Sequence, residues 1–153
     1  MALANTRARL RMTTLYYHAG LLGLLVAGTG NKVEAFGVGF YTKYGDGGVD
    51  LSPIADLLKS EVYNIGKFLK VPESIMNAAP SDGLFGDARS DEDQIGANYD
   101  ELEWAMEMND LGKTASDFSG RKKVVFEIFK RYNSGNKHKM IPIPICEIPK
   151  KLK

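Results

Sequence analysis

"LLVAGTGNKVE", residues 24–34, decides the fold. Leu24, Leu25, Val26 and Ala27 form a short continuous apolar run that ends at Gly28, which suits a strand covered on both faces in a parallel sheet. Gly28-Thr29-Gly30 then lies at the carboxyl end of that strand. There, open α/β sheets bind ligands and helix amino termini point their N–H groups outward. The Thr29 hydroxyl can donate or accept. Glu34 follows Gly30 by one helical turn, so in a helix that begins there its carboxylate faces the same loop. Such a carboxylate can hold Mg²⁺, which takes one or two carboxylates plus phosphate oxygens. The competing reading is an ordinary strand-to-helix turn with a solvated glutamate beside it. Position 33 is not glycine, so a dinucleotide fingerprint fails, and the absence of a glycine loop followed by Gly-Lys-Ser/Thr excludes a P-loop.

A covered strand needs neighbours. The other candidate is "MIPIPI", residues 140–145, whose prolines confine it to a sheet edge or to no sheet. Either residues 24–27 are helical core, or the earlier strands of the sheet are not among these residues, and the second is the expectation. Helical spacing is clear elsewhere. Leu10, Leu15, Tyr17, Ala19 and Leu22 predict a helix over residues 4–22. Leu57, Leu58, Val62, Ile65 and Leu69 predict one over 54–69, closed by Pro72. A third starts at Asp91 with Ile95, Tyr99, Leu102 and Met106 on one face. Val125, Ile128, Phe129 and Tyr132 define the last, ending near Gly135. Residues 79–96, rich in Gly, Asp and Ser, read as a long loop of the kind used as a lid.

The totals exclude several classes. The chain has 153 residues, the size of one domain, with a formal charge of +1. No basic stripe points to nucleic acid. The nearly apolar residues 19–27 are far short of the roughly 20 needed to span a bilayer. Tyr16, Tyr17 and His18 interrupt what would otherwise resemble a signal peptide after Arg7, Arg9 and Arg11. Cys146, the single cysteine, has no disulfide partner and no zinc cluster beside it, which fits a reducing cytoplasm.

"TKYGDGGVD", residues 42–50, packs Gly45, Gly47 and Gly48 around Asp46, with Lys43 and Asp50 at its flanks. A hairpin turn at Asp46-Gly47 is the plain reading. So many charges beside three glycines suit a site that grips a phosphorylated ligand. Lys59, Arg9, His138 and Lys139 are further cations that, taken singly, are more often surface charges.

In order along the chain, "ARLRM", "AGTGNKVE", "GFYTKYGDGGVDLSPIADLLK", "APSDGL", "SDEDQIGANYDELE" and "HKMIPIP" resemble the ammonia-dependent NAD synthetases, from about residue 5 to residue 144. The resemblance implies an N-type ATP pyrophosphatase fold: an α/β doubly wound parallel sheet flanked by helices, as a homodimer. It implies adenylation of the nicotinate carboxylate of deamido-NAD by ATP and Mg²⁺, release of pyrophosphate, and displacement of AMP by ammonia. Carried onto matching positions, Thr29, Lys59 and Ser81 contact ATP and Glu34 binds Mg²⁺. Arg9, Lys43, Asp50, His138 and Lys139 grip deamido-NAD. Asp46 assists Mg²⁺ or the incoming ammonia, so Asp46 and Lys59 are the expected catalytic pair. The loop from Ser81 to Glu92 is the expected cover.

Residues 1–153 are expected to form a single domain of this family without its Ser-Gly-Gly-x-Asp-Ser phosphate-binding element, as a carboxy-terminal portion that does not turn over alone. No amidase domain with a catalytic cysteine accompanies it, so free ammonia is the expected donor. Two alternatives stand beside this one: a related synthetase that amidates a different acceptor, and a non-catalytic nucleotide-binding or dimerisation fragment.

Overall fold

The computed structural model describes residues 1–81, 83–85 and 90–152. Helix α1 spans Ala2–Leu22, where a helix is expected, but it buries Ala4, Ala8 and Ala19, and of the residues whose spacing predicts it Leu10, Leu15, Tyr17 and Leu22 are exposed. It ends in a left-handed glycine, Gly23 at φ 66°, and the N–H groups of Gly23 and Leu24 both return to the Ala19 carbonyl. This is the usual way a helix satisfies its last carbonyls.

The chain then runs extended into one parallel bridge, Ala27 with Leu51. The Gly28 N–H donates to the Leu51 carbonyl at 2.7 Å, and the Asp50 N–H to the Val26 carbonyl at 2.9 Å. Gly28 is required by this close approach, because a Cβ there would come within 2.9 Å of Val49 Cγ2 and 3.3 Å of the Leu51 carbonyl oxygen. The parallel sense expected of residues 24–27 is therefore present. Their burial on both faces is not: Val26 is buried, whereas Leu24 and Leu25 are 61% and 69% exposed. Pairing stops at this bridge among the described residues, so the apolar run has one covered side.

Residues Val33–Val38 form a single wide π turn. An i→i+5 repeat brings side chains five apart to one side, and Val33 and Val38 are both fully buried. The turn is capped reciprocally: Asn31 Oδ1 accepts from the Glu34 N–H at 3.1 Å, and Glu34 Oε2 from the Asn31 N–H at 3.3 Å. Its exit, Gly39 at φ 62°, could not carry a side chain, since a Cβ would lie 2.6 Å from Asn136 Cβ.

Helix α2 spans Lys59–Phe68, shorter than the helix expected over 54–69. Residues 52–57 form turns, with the Ala55 and Leu57 N–H groups bonded to the Ser52 and Ile54 carbonyls. The extended Leu58, at ψ 160°, sets the true start, where Glu61 Oε2 accepts the Leu58 N–H. Helix α3, Glu73–Met76, follows Pro72. The single helix expected from Asp91 is two: α4, Asp91–Ile95, and α5, Tyr99–Asp110. Gly96 at φ 89° turns the chain between them, and Asn98 starts α5 in a capping box with Glu101. Ile95, Tyr99 and Leu102 still face one core, because both short helices pack on the same side. Helix α6, Gly120–Gly135, is as expected, and α7, Lys137–Met140, continues from it. Residues 141–145 form no strand, in keeping with their prolines.

The core lies where α5 and α6 meet the Val33–Val38 turn, around Leu102, Val125, Phe126 and Phe129. A smaller cluster joins Ala4 and Ala8 of α1 to Leu84. Arg7 Nη1 and Arg11 Nη2 donate to the carbonyls of Leu84 and Gly83, so α1 holds these two residues of the expected lid. Residues 82 and 86–89 of that loop lie outside the described residues. Among the described residues no helix is long and apolar enough to cross a membrane.

One surface ion pair joins the helices of the core. Arg121 Nε and Nη2 donate to the two oxygens of Glu101 at 2.7 and 2.6 Å. This hydrogen bonding holds the Glu101 carboxyl below its ordinary value of 4.5. The folded chain therefore binds fewer protons than the unfolded chain in mild acid. The stabilisation is complete above the unfolded value and is lost as pH falls through the folded one. Urea midpoints of the wild type and Arg121→Ala should differ at pH 7 and converge as the pH is lowered below 4.5. A constant difference across that window would refute the linkage.

Candidate functional site

A cleft of about 720 Å³ opens beside the bridge at Ala27, between α1, the Gly28–Gly30 turn, the Val33–Val38 turn and the start of α2. Thr29, Glu34, Asp46, Lys59, Ser81 and Lys139 all line it. A smaller hollow of about 240 Å³ shares Gly28, Thr29, Glu34, Asp46 and Lys139 with it. The structure thus brings together six of the ten residues singled out in the sequence. Arg9, Lys43, Asp50 and His138 do not line either space.

Glu34 is the most connected of the six. Its Oε2 accepts from Asn31, while its Oε1 accepts from Lys59 Nζ at 3.1 Å and from the Tyr99 hydroxyl at 2.7 Å. A carboxylate offers about four lone-pair directions, and these bonds occupy three. The vacant direction and the hard oxygen donors suit a single bond to Mg²⁺, with phosphate oxygens completing its shell. Among the described residues there is no cluster of three acidic, His or Cys side chains able to hold a metal by themselves.

Lys59 is the first residue of α2, and Leu58 and Ser60 on either side of it are tied by Glu61 and Glu103. Its ammonium lies 4.6 Å from the centroid of the Tyr99 ring. Tyr99 is 5% exposed. Burial, and next the Glu34 carboxylate, push its phenol well above the ordinary value of 10.0. It stays a neutral donor throughout the physiological range.

Asp46 organises the glycine-rich loop, which is a succession of turns rather than a hairpin. Its Oδ1 accepts from the Thr42 N–H at 2.9 Å, and the N–H groups of Gly45 and Gly47 both reach the Thr42 carbonyl. Lys139 faces the same loop. Its Nζ donates to the carbonyls of Gly39 at 2.9 Å and Tyr41 at 2.7 Å. Burial lowers the pKa of Lys139, and the Asp46 charge opposes that shift. Burial raises the Tyr41 phenol, with Asp46 adding to it.

The four residues that do not line the cleft are tied to one another or to the bridge by hydrogen bonds. Asp50 Oδ2 accepts the Val26 N–H at 2.8 Å, and Oδ1 accepts the Tyr16 hydroxyl. Arg9 Nε donates to the Lys43 carbonyl, and Lys43 Nζ donates to the His138 carbonyl at 2.7 Å.

Sequence reasoning missed a second set. Asn133 and Asn136 donate to the carbonyls of Gly37 and Val38 at 2.7 and 2.9 Å. With Lys139 they form a ladder along α6 and α7 that satisfies the backbone leaving the π turn. Tyr99 is expected only as one position on the apolar face of a helix. The three-residue spacing of Asn133, Asn136 and Lys139 was the available signal, one polar stripe on a helix otherwise apolar inward.

Comparison with known proteins follows the same outline. The family model described as NAD synthase matches residues 1–142. The chain is 50% identical over 103 residues to the NH(3)-dependent NAD(+) synthetase of Methanococcoides burtonii, covering 67% of this chain and 38% of that protein. It is 44% identical over 135 residues to the protein of the same name from Carboxydothermus hydrogenoformans, covering 84% and 55%. Among solved structures, an NMN synthetase from Francisella tularensis superposes with a TM-score of 0.75 at 35% identity, covering 96% of this chain and 56% of that one. The chain spans about half the length of the curated relatives it matches.

Proposed function

The chain belongs to the NAD synthase family, and from that premise we propose that it carries the amidation half-site for deamido-NAD, joining ammonia to the nicotinate carboxylate at the expense of ATP. The observation that carries this reading is the convergence of Thr29, Glu34, Asp46, Lys59 and Ser81 on one cleft. The names of the curated relatives support ammonia as the donor. As part of the same reading, the bridge of Ala27 with Leu51 belongs to a doubly wound parallel sheet. Its remaining strands and the Ser-Gly-Gly-x-Asp-Ser element are supplied from outside residues 1–153, without which these residues do not turn over. The protein works in the cytoplasm as a homodimer, for which Leu3, Leu10, Tyr17 and Leu21, one exposed stripe of α1, offer an apolar surface.

A carboxylate is a poor electrophile because resonance spreads its charge. Adenylation converts it to a mixed anhydride with AMP as leaving group. Glu34 would hold Mg²⁺, which when bound neutralises charge on the phosphate oxygens. Thr29 and Ser81 would offer hydroxyls to a nucleotide in the cleft, and the Lys59 ammonium would face the charge that develops as pyrophosphate departs. Ammonium cannot attack, since its lone pair carries a proton. Asp46, at the cleft edge, would take that proton as the nitrogen adds, which is general base work. Arg9, Lys43, Asp50, His138 and Lys139 would receive deamido-NAD, with Lys139 nearest the Asp46 loop. The Ser81 to Glu92 segment would cover the anhydride against water.

Product analysis tests the reading. In a preparation of the chain complemented with a Ser-Gly-Gly-x-Asp-Ser segment, pyrophosphate should form when ATP, Mg²⁺ and deamido-NAD are present, and AMP should be released only when ammonia is added as well. AMP formed without the acceptor, or no AMP at all, would overturn it. The likeness to a protein named NMN synthetase favours one second reading, a mononucleotide acceptor. Offering nicotinate mononucleotide in place of deamido-NAD separates the two.

A further inference from the structure

Helix α5 contributes nothing to the lining of the cleft, yet it governs two of the residues that do. Tyr99 and Glu103 stand four apart on it and so share one face. Tyr99 donates its hydroxyl to Glu34 Oε1, the same oxygen that accepts Lys59 Nζ, and its ring lies beneath that ammonium. Glu103 holds the residue after Lys59: Oε1 accepts the Ser60 N–H at 2.9 Å, and Oε2 accepts the Ser60 hydroxyl at 2.8 Å. One side chain therefore aims the Lys59 head group, and the other fixes the backbone that carries it.

The support behind them is rigid. Tyr99 follows the Asn98–Glu101 capping box, its own N–H donates to Glu92 Oε1 at 3.2 Å, and Leu102 beside it is fully buried. We propose that Tyr99 and Glu103 are positioning residues, a clamp from α5 that sets the distance between the Glu34 carboxylate and the Lys59 ammonium. The clamp has a specific task. To meet a phosphate, Lys59 must leave Glu34, and the carboxylate would be drawn after it. The Tyr99 hydroxyl keeps Glu34 in place through that exchange, and Glu103 limits how far α2 follows. The inference rests on the assignment of Glu34 and Lys59 proposed above.

Tyr99→Phe and Glu103→Ala test it, with Lys59→Ala as the reference. Misplacing a group by about 1 Å can cost on the order of 100-fold in rate, so Tyr99→Phe should lower kcat for AMP release by roughly 10- to 100-fold, with KM for deamido-NAD within about 2-fold. In a Lys59→Ala background the same substitution should cost less than it does in the wild type, because the two effects are coupled through Glu34. A readout independent of turnover is exchange of the Ser60 amide. Near the start of a helix it has no intrahelical acceptor, so Glu103→Ala should speed its exchange. Ser60→Ala reads the hydroxyl half of the contact if Glu103→Ala does not fold. Wild-type kcat in Tyr99→Phe together with unchanged Ser60 exchange in Glu103→Ala would overturn the clamp while Lys59→Ala remained inactive. Full activity in Lys59→Ala would instead overturn the assignment of the cleft, and the clamp with it.

Discussion

Replacing Lys59 by alanine should reduce AMP formation by about 10²–10³-fold, the loss expected when one preorganised donor is removed from a developing oxyanion. The ammonium lies in the cleft wall, at the first position of α2, against the carboxylate proposed to face the metal. Nothing else among the described residues bonds Glu34 with a positive charge. The fold should tolerate the change. Both side chains of the pair are only about one-fifth exposed, so removing the ammonium leaves a partly buried carboxylate, whose remaining hydrogen bonds limit the loss of stability. Glu34 keeps its bonds to Tyr99 and Asn31. A melting midpoint close to wild type together with the rate loss is the expected result. A wild-type rate would remove Lys59 from the chemistry, and a collapsed midpoint would make it structural.

Phe129→Ala should have the largest effect on stability. Phe129 is 1% exposed in the core between α5, α6 and the Val33–Val38 turn. Its ring lies 3.4 Å from where a Gly37 Cβ would stand, beside Met106. Truncating a buried phenylalanine costs about 3–5 kcal/mol through lost transfer energy and the cavity left behind. Because the π turn packs on this ring at Gly37, the cavity lies against the turn that carries Glu34. Urea denaturation should show the loss of stability, and AMP formation should fall in the fraction that remains folded. A change under about 1 kcal/mol would mean that the site collapses around the gap and that the turn is held mainly by the Asn133, Asn136 and Lys139 ladder.

How far the sequence could be read depended on the range of each interaction. Helix α6 was legible because its periodicity runs unbroken to Gly135, and α1 because no proline interrupts it, although the side chains it buries are Ala4, Ala8 and Ala19 and not Leu10, Leu15, Tyr17 and Leu22. The break at Gly96 was not, since one glycine inside a helical pattern is ordinarily tolerated, and the decisive feature was the capping box that restarts the chain at Asn98. Residues 24–27 were read as covered on both faces because an apolar run reports burial without saying by what. Within the described residues only Val26 is covered.

The site followed the same rule. Thr29 and Glu34 follow one turn after the bridged Ala27, so local chemistry pointed to them. Tyr99 lies 65 residues from Glu34, and Asn136 lies 98 from Val38. Their hydroxyl and amide groups acquire meaning only once the chain has folded. Asp50 was legible as a charge beside glycines, but its partners are a backbone N–H and a tyrosine hydroxyl, so its visible task is to hold the bridge.

Isotope tracing tests the central claim most directly. With deamido-NAD labelled by ¹⁸O in both oxygens of the nicotinate carboxylate, an NAD-forming preparation should release AMP carrying a single ¹⁸O in its phosphate, the matching atom remaining in the amide. Unlabelled AMP, or ADP and labelled inorganic phosphate in its place, would contradict an acyl-adenylate formed in this cleft.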